Sequence, residues 1–177
     1  MIRKPARIVS PPLMPALSKP LALGVLALLA SALLAYVALR ALPAEERPRP
    51  GQSPRAVVSL QLAALRQVDE PEPDAGFATV FRFASPDNQR QTGPLPRFTR
   101  LLRSAPYAVL INHREAVVLA AIEQGERASV PVDVTSRAGR VYRFVFLLRR
   151  VADPSCPGCW RTEGVIPPVE AAPAPET

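Results

Sequence analysis

An α+β domain carried behind a membrane-spanning helix is the fold class that the sequence predicts. Three observations lead to it. Residues 21–42 are apolar on all sides and carry no charge before Arg40. Between residues 53 and 103, apolar side chains recur with the period of amphipathic helices. Beyond Pro106 the apolar period changes to two, which is typical of strands in a half-buried sheet.

The apolar run follows a basic tail, residues 1–20, that contains no acidic side chain. As a helix, residues 21–42 would extend about 33 Å, enough to cross the hydrocarbon core of a bilayer. This length predicts an uncleaved, single-pass signal-anchor. The alternative is a cleaved signal peptide with its cleavage site after Ala44, although the run is longer than the usual apolar region of such a peptide.

Orientation and charge follow from the same region. A short tail before a first helix usually stays inside, so we expect the domain on the extracytoplasmic side, in a periplasm or an equivalent lumen. The formal net charge is +7, and a net of five positive charges falls before residue 51. This basicity suits the lipid bilayer surface and gives no support to a nucleic-acid partner. Residues 43–54 are rich in proline and predict a linker.

The first predicted helix begins at Ser53-Pro54, a serine N-cap followed by a proline in the first turn, and continues to about Val68. Gln61 falls within its apolar arc, where it is either a satisfied core amide or part of a cavity wall. The acidic stretch 69–74 ends this helix and is expected to cap a second helix at 75–83. Residues 85–88 predict a turn.

A third helix is predicted from Thr92-Gly93-Pro94 to about Arg103. Arg97, Arg100 and Arg103 share its polar side. They form either a docking face for an acidic partner or headgroup, or an ordinary solvated surface. Five strands are predicted after it, at residues 108–112, 115–123, 128–135, 141–151 and 160–166.

Cys156 and Cys159 form a CxxC motif with three interpretations. A redox dithiol usually lies at a helix N-terminus, whereas this motif leads directly into a predicted strand. A zinc site needs four ligands, and the sequence offers only His113 beside the two cysteines. The third interpretation is a turn with two thiols or a local disulfide in an oxidising compartment. We predict no metal and no cofactor.

Two residues are candidates for proton transfer. His113 is the only histidine and follows an apolar segment shortly after Tyr107. Asp133 lies within a predicted strand, where a carboxylate could be a general base in a pocket or face solvent.

Several segments resemble a known fold. The string Ser85-Pro86, Thr92-Gly93-Pro94, Arg97-Phe98 is the most specific part, and softer matches are Leu60-Gln61-Leu62, Leu65-Arg66, Phe83-Ala84, Leu95, Tyr107, Leu110, Asn112-His113, Cys159-Trp160 and Val165. Over residues 55–168 the chain resembles the nuclear-transport-factor-2-like (NTF2-like; cystatin-like, SnoaL-type) fold, and within it an uncharacterised family of bacteria, cyanobacteria and plants. The resemblance implies three helices packed on a curved antiparallel sheet that encloses a cone-shaped cavity. Residues 169–177 are expected to be a disordered tail.

The function predicted from these observations is a membrane-anchored, non-enzymatic module that binds a small apolar ligand or a protein partner. Gln61, Tyr107, His113 and Trp160 are the residues expected to line its cavity. One alternative is a small-molecule enzyme of the isomerase or dehydratase type, with His113 or Asp133 as general base. A second is an accessory factor that docks on a membrane protein complex through Arg97, Arg100 and Arg103.

Overall fold

The computed structural model describes residues 46–169. The predicted basic tail, the anchor helix, the first three residues of the linker and all but the first residue of the C-terminal tail therefore lie outside the described residues. Within residues 46–169, no helix has the length and apolar character needed to cross a membrane.

Within residues 46–169, four helices precede the sheet, one more than predicted for this part of the chain. They are α1 (Pro54–Arg66), α2 (Ala75–Phe83), α3 (Pro86–Thr92) and α4 (Leu95–Arg103). Helix α1 begins as expected, because the Ser53 hydroxyl accepts a hydrogen bond from the Ala56 amide at 3.2 Å.

Helix α3 replaces the turn predicted at residues 85–88. Its start repeats the start of α1, since the Ser85 hydroxyl accepts a hydrogen bond from the Asn88 amide at 3.1 Å and Pro86 follows. None of its residues is buried, so α3 has no apolar stripe from which a helix could be predicted.

The acidic stretch before α2 does not cap this helix through a side chain. Asp74 occupies the N-cap position with a φ of 63° and makes no side-chain cap hydrogen bond. Its carboxylate pairs instead with the guanidinium of Arg103 on α4. The prediction of a side-chain cap was wrong, because the Asp74 carboxylate forms this long-range ion pair and does not bond to the first amides of α2.

Two of the predicted strands differ in the structure. Residues 108–112 were predicted as a strand, but Tyr107–Leu110 form a 3-10 helix followed by Asn112 with a φ of 51°. The Asn112 amide donates to the Leu65 carbonyl on α1 at 2.8 Å, which ties this segment to a helix. The predicted strand 115–123 is two short strands, β1 (Glu115–Val118) and β2 (Ile122–Gln124).

The remaining strands are β3 (Arg127–Thr135), β4 (Val141–Arg150) and β5 (Trp160–Val169). They form an antiparallel sheet in the order β1-β3-β4-β5, and β2 pairs with β3 beside β1. On β3, buried and half-buried residues alternate, so one face of the sheet is covered and the other is not. The covered face supplies Val130, Val132, Val134, Phe144, Phe146 and Leu148 to the core.

Helices α1 and α2 pack against each other at very short range. The Gly76 amide donates to the Val68 carbonyl at 2.8 Å. A Cβ at position 76 would collide with the carbonyl oxygen of Ala64 and lie 2.8 Å from the Val68 Cα. Both are backbone atoms, which cannot rotate away, so glycine is required at this contact.

Candidate functional site

A cavity of about 220 Å³ lies between the helices and the covered face of the sheet. We call it the Gln61 cavity. Its apolar lining comes from Leu65, Val80, Ala84, Phe98, Leu101, Leu102, Leu110, Phe146 and Val165. Its polar lining includes Gln61, Asn88, Tyr107, Thr162 and Glu163. An apolar wall with few polar groups is the usual composition of a small-molecule pocket.

Gln61 forms the buried polar end of this cavity. Its side chain has 0 % exposure. The Gln61 Nε2 donates to the Thr162 Oγ1 at 2.9 Å and to the Val57 carbonyl at 3.2 Å, and the Thr162 hydroxyl lies 3.1 Å from the Gln61 Oε1. A buried amide needs such partners, and here the main one is 101 positions away in the chain.

A β-bulge in β5 decides which residues face the Gln61 cavity. Thr162 is opposite Leu148 and Gly164 is opposite Leu147, which leaves Glu163 as an extra residue. Val165 then pairs with Phe146, so Thr162 and Val165 lie on the covered face although they are three residues apart. The sequence analysis did not single out Thr162 or Glu163. A signal was present in Gly164, because a glycine inside a strand often marks a bulge.

The edge of β5 is closed by the connection between α2 and α3. The Thr162 carbonyl accepts hydrogen bonds from the Ser85 amide at 2.9 Å and from the Asn88 Nδ2 at 3.0 Å. These bonds occupy backbone that an edge strand would otherwise expose. They also fix the position of Thr162 opposite Gln61.

Tyr107 also lines the Gln61 cavity. The sequence analysis placed Tyr107 and Gln61 in one predicted cavity. Its hydroxyl donates to the Val165 carbonyl at 3.3 Å, and its ring is half-buried. The hydrogen bond connects the 3-10 helix to β5 across the cavity. Whether these residues bind a ligand stays a prediction.

His113 lies in a different depression. It lines a groove of about 410 Å³ between α1 and β1, with Leu62, Arg66, Ala116 and Val118 among its neighbours. Its side chain is 4 % exposed, and its Nδ1 is 2.8 Å from the Leu110 carbonyl, so Nδ1 carries the proton that is donated. Burial lowers the pKa of His113 and the nearby Arg66 lowers it further, while the Leu110 hydrogen bond opposes both. The imidazole is therefore stabilised in its neutral form.

Asp133 lies on the uncovered face of the sheet, outside the Gln61 cavity. Its two carboxylate oxygens accept hydrogen bonds from Arg143 Nε and Nη2, both at 2.7 Å. This pair lowers the pKa of Asp133 and holds it ionised. The enzyme alternative requires a general base in the cavity. Neither His113 nor Asp133 lines the Gln61 cavity.

Trp160 belongs to the core and does not line the Gln61 cavity. Its side chain is 2 % exposed, and the guanidinium of Arg150 stacks over its ring at 4.8 Å. The sequence analysis expected Trp160 to line the cavity together with Gln61, but Trp160 packs in the core under Arg150 and is not among the residues that line the cavity.

The three arginines of α4 have different surroundings. Arg97 and Arg100 are exposed. Arg103 pairs with Asp74 and lies over the Phe77 ring at 5.0 Å. It therefore holds α4 against α2, and the face that is open to a partner consists of Arg97 and Arg100.

Cys156 and Cys159 are joined by a disulfide in the turn that precedes β5. The Cys159 amide donates to the Cys156 carbonyl at 3.2 Å, and Gly158 between them has a φ of 73°. Within the described part of the chain, no group of three or more His, Cys, Asp and Glu side chains could hold a metal ion.

These features define an α+β domain with four helices on one face of an antiparallel sheet and a cavity between the two layers. Residues 50–174 match the family described as "Domain of unknown function (DUF4864)", so the chain belongs to this family. The solution structure of a SEC-C motif containing protein from Rhodopseudomonas palustris is similar, with a TM-score of 0.45 and 18% sequence identity, over 64% of this chain and 77% of that chain. No curated protein matches the chain.

Proposed function

We propose that the domain is a non-catalytic binding module that holds one small, partly apolar ligand in the Gln61 cavity. The observation that carries this proposal is the cavity itself, about 220 Å³ of space with an apolar wall and a buried amide and hydroxyl at one end. An apolar cavity of about 150 Å³ in another protein takes up benzene, so a volume of this size can hold a substituted ring or a short-chain alcohol.

The polar groups favour binding over catalysis. Gln61 and Thr162 are neutral, and each can both donate and accept a hydrogen bond. Such groups orient an alcohol, a phenol or a carbonyl. Glu163 lines the same cavity, and its carboxylate pairs with Arg149 at 3.2 Å.

A ligand titration tests this proposal. Phenol, p-cresol, indole and hexanol would be added to the full-length chain in a maltoside detergent while the thermal unfolding midpoint is recorded. A ligand that binds the folded state raises this midpoint by mass action. We expect at least one of the four to do so and to shift the NMR signals of the Gln61 side-chain amide.

A pair of matched variants locates the binding. Val165→Phe adds a ring to a residue that lines the cavity, whereas Val117→Phe makes the same change at an exposed position on β1. The first variant should lose the ligand response and the second should keep it. Equal responses in both variants, or no response to any of the four compounds, would contradict the proposal.

We also propose the NTF2-like form of this fold. The support is the order of elements, with helices first and an antiparallel meander after them, and a cavity between the layers. An experimental structure of the chain tests it. A cavity filled by side chains, or a sheet whose second face is covered, would speak against this form.

The domain is further proposed to be anchored by residues 21–42 and to lie outside the cytoplasm. The apolar length of this segment supports an anchor. The Cys156–Cys159 disulfide supports an oxidising compartment. Extraction of membranes with alkaline carbonate tests the anchor, and protease treatment of intact spheroplasts tests the side. Release by carbonate, or protection from the protease, would refute the respective half of the proposal.

A second candidate function is docking on a membrane protein complex through α4. The observation that favours it is the exposed pair Arg97 and Arg100 beside Leu101, which is 39 % exposed. Reversing both charges to glutamate should release a bound complex during purification from membranes, whereas Arg90→Glu on α3 should not. Unchanged partners in the double variant would exclude this candidate.

A further inference from the structure

The free edge of β1 presents hydrogen-bonding groups that the sheet does not use. Within the described part of the chain, β1 is an edge strand and pairs only with β3. The Leu119 amide, directly after β1, donates to the Pro131 carbonyl at 3.0 Å. In an antiparallel pair, residues that bond to the partner strand alternate with residues that do not. Val117 therefore bonds to β3, whereas Ala116 and Val118 direct their amides and carbonyls outward.

The Arg55 side chain on α1 confirms this direction. Its Nη2 donates to the Val118 carbonyl at 3.1 Å, from the side of β1 that lies away from β3. The Ala116 amide, the Ala116 carbonyl and the Val118 amide make no hydrogen bond to any of residues 46–169. Unpaired backbone groups in a row on an edge strand are a template to which another extended chain can add a strand.

A groove lies along the same edge. It is the groove of about 410 Å³ that contains His113, and we call it the α1–β1 groove. Its strand wall is formed by Ala116 and Val118. Their partners on β3 are fully buried, so both side chains point to the covered face of the sheet. The helix wall is formed by Ser59, Leu62, Ala63, Arg66 and Gln67. The two residues with outward backbone groups thus also line the groove.

Polar groups without partners lie at the end of the groove where β1 begins. Arg66, in the last turn of α1, is exposed and makes no hydrogen bond or ion pair with residues 46–169. The His113 Nδ1 is bonded to the Leu110 carbonyl, so Nε2 is an acceptor, and the structure shows no partner for it in the part of the chain that is described. This imidazole is 4 % exposed, and a buried acceptor needs a donor.

We propose that the α1–β1 groove binds an extended peptide segment of a partner protein, which adds to β1 as a further strand. Its main chain would bond to Ala116 and Val118, and alternate apolar side chains would enter the groove. The charge of Arg66 favours an acidic residue at that end of the peptide. This function is separate from the ligand proposed for the Gln61 cavity, because no residue that lines the groove also lines that cavity.

A second copy of the chain fits this edge less well than an acidic peptide. Arg55 lies where β1 ends, and Arg66 lies where β1 begins. An antiparallel pairing of two β1 strands would therefore bring Arg66 of one copy towards Arg55 of its neighbour. Like charges placed together in this way disfavour the pairing.

The experiment uses the full-length chain in a maltoside detergent. A phage-displayed library of random octapeptides is selected against it, and enriched peptides are synthesised with a fluorescent label. We expect saturable binding by fluorescence polarisation, and we expect an acidic residue beside alternating apolar residues in the enriched sequences.

Amide hydrogen exchange identifies how the peptide binds. The Ala116 and Val118 amides lack a partner in the free domain, so a bound strand should slow their exchange about tenfold or more. The Val117 amide already bonds to β3 and should change less.

Matched variants connect binding to the edge of β1. Ala116→Pro removes the outward amide, and proline is tolerated in an edge strand whose N–H points away from the sheet. It should weaken peptide binding about tenfold or more. Ala116→Ser keeps the amide and should bind as the unchanged chain does. Ala63→Phe fills the groove from an exposed position on α1, so its effect does not depend on a proline in the strand.

Two further variants test the charge and the independence of the site. Arg66→Glu should weaken binding of the acidic peptides several-fold, whereas Arg90→Glu, at a side chain that is 72% exposed and outside the groove, should not. Val165→Phe blocks the Gln61 cavity and should leave peptide binding unchanged. A failure of this proposal is therefore distinguishable from a failure of the ligand proposed for that cavity.

The outcomes separate clearly. Slower exchange of both amides, with binding weakened by Ala116→Pro and Ala63→Phe and kept by Ala116→Ser, supports strand addition. Failure to enrich any peptide, binding without slower exchange, or equal affinity of the proline and serine variants would overturn it. A concentration-dependent dimer that protects the same amides without peptide would assign the edge to a second copy and would also overturn it.

Discussion

In the Gln61 cavity, the Gln61 Nε2 donates to the Thr162 hydroxyl at 2.9 Å, whereas Arg161, the residue before Thr162 on β5, is held by the Arg82 carbonyl and the Asp153 carboxylate. The first pair is neutral, so its burial needs only hydrogen-bond partners. The second pair is charged, so its burial also needs a counter-charge, which Asp153 supplies. The difference shows that β5 carries a neutral buried pair on one face and an ion pair on the other.

Both pairs depend on neighbouring residues of one strand. Arg161 and Thr162 are consecutive on β5, and successive side chains of a strand point to opposite faces of the sheet. Thr162 therefore faces the helices, and Arg161 faces the loop that contains Asp153. A single edge strand thus supplies one member of each pair.

The largest expected effect comes from the close contact between α1 and α2, two helices that contribute to the lining of the Gln61 cavity. Gly76→Ala would place a methyl group against the backbone of α1, and we expect a loss of about 3 kcal/mol in the free energy of unfolding because the backbone atoms cannot move aside. Urea denaturation measures it. Gly164→Ala is the matched control, since a Cβ there would meet no atom within 4 Å. Similar losses in both variants would refute the close contact of α1 with α2.

The next effect tests whether the neutral pair stabilises the fold without a ligand. Thr162→Val removes the hydroxyl that Gln61 bonds, and we expect a loss of about 2 kcal/mol because a buried amide is left partly unsatisfied. Thr162→Ser keeps the hydroxyl and should recover part of that loss. If valine and serine behave alike in urea denaturation, the hydrogen bond is not what stabilises this position.

A smaller effect comes from His113, which does not line the Gln61 cavity. Its folded-state pKa is lowered below its ordinary value of 6.5, so the unfolded chain binds the proton more tightly. The free energy of unfolding should therefore fall as the pH drops below about 6.5, by at most about 1.4 kcal/mol per pH unit.

Urea denaturation between pH 5 and 8 measures this slope, and His113→Gln should remove it. Asp133 and Asp153 also have lowered pKa values, but from an ordinary value of 3.8, so they titrate below this window. Between pH 5 and 8, the affinity for a ligand in the Gln61 cavity should change only as far as the stability of the folded protein changes. A ligand affinity that depends on the His113 proton while the protein stays folded would bring the histidine back as a site residue.

The smallest effect is expected on the uncovered face of the sheet. Asp133→Asn removes the ion pair with Arg143, an exposed interaction that contributes little and is screened by salt. Ligand binding in the Gln61 cavity should be unchanged in a calorimetric titration. A loss of binding would revive the hypothesis that Asp133 acts in the cavity.

Local patterns in the sequence were sufficient for much of the fold. The Ser53-Pro54 start of α1, the bounds of α2 and the alternation in β3 match the structure, and the α+β class is confirmed. Such features are set by neighbours within a few residues, because capping, helical period and strand alternation are local. The membrane anchor predicted at residues 21–42 remains a prediction.

Tertiary contacts decided the rest. Residues 108–112 have the composition of a strand, but the Asn112 amide bonds to Leu65 on α1. The Asp133 carboxylate could have faced a pocket, but the register of β3 and β4 places it opposite Arg143. Composition alone could not distinguish these outcomes, since each depends on which distant segment lies alongside.

The sequence by itself determined an apolar helix stripe that contains Gln61, and a strand that contains Arg161 and Thr162. Only the tertiary structure decided that Gln61 meets Thr162 across 101 positions and that Arg161 meets Arg82 and Asp153. The physical reason is the bulge at Glu163 together with the closed edge of β5. They fix which face each side chain takes, and that choice brings Thr162 to Gln61 and Arg161 to Asp153.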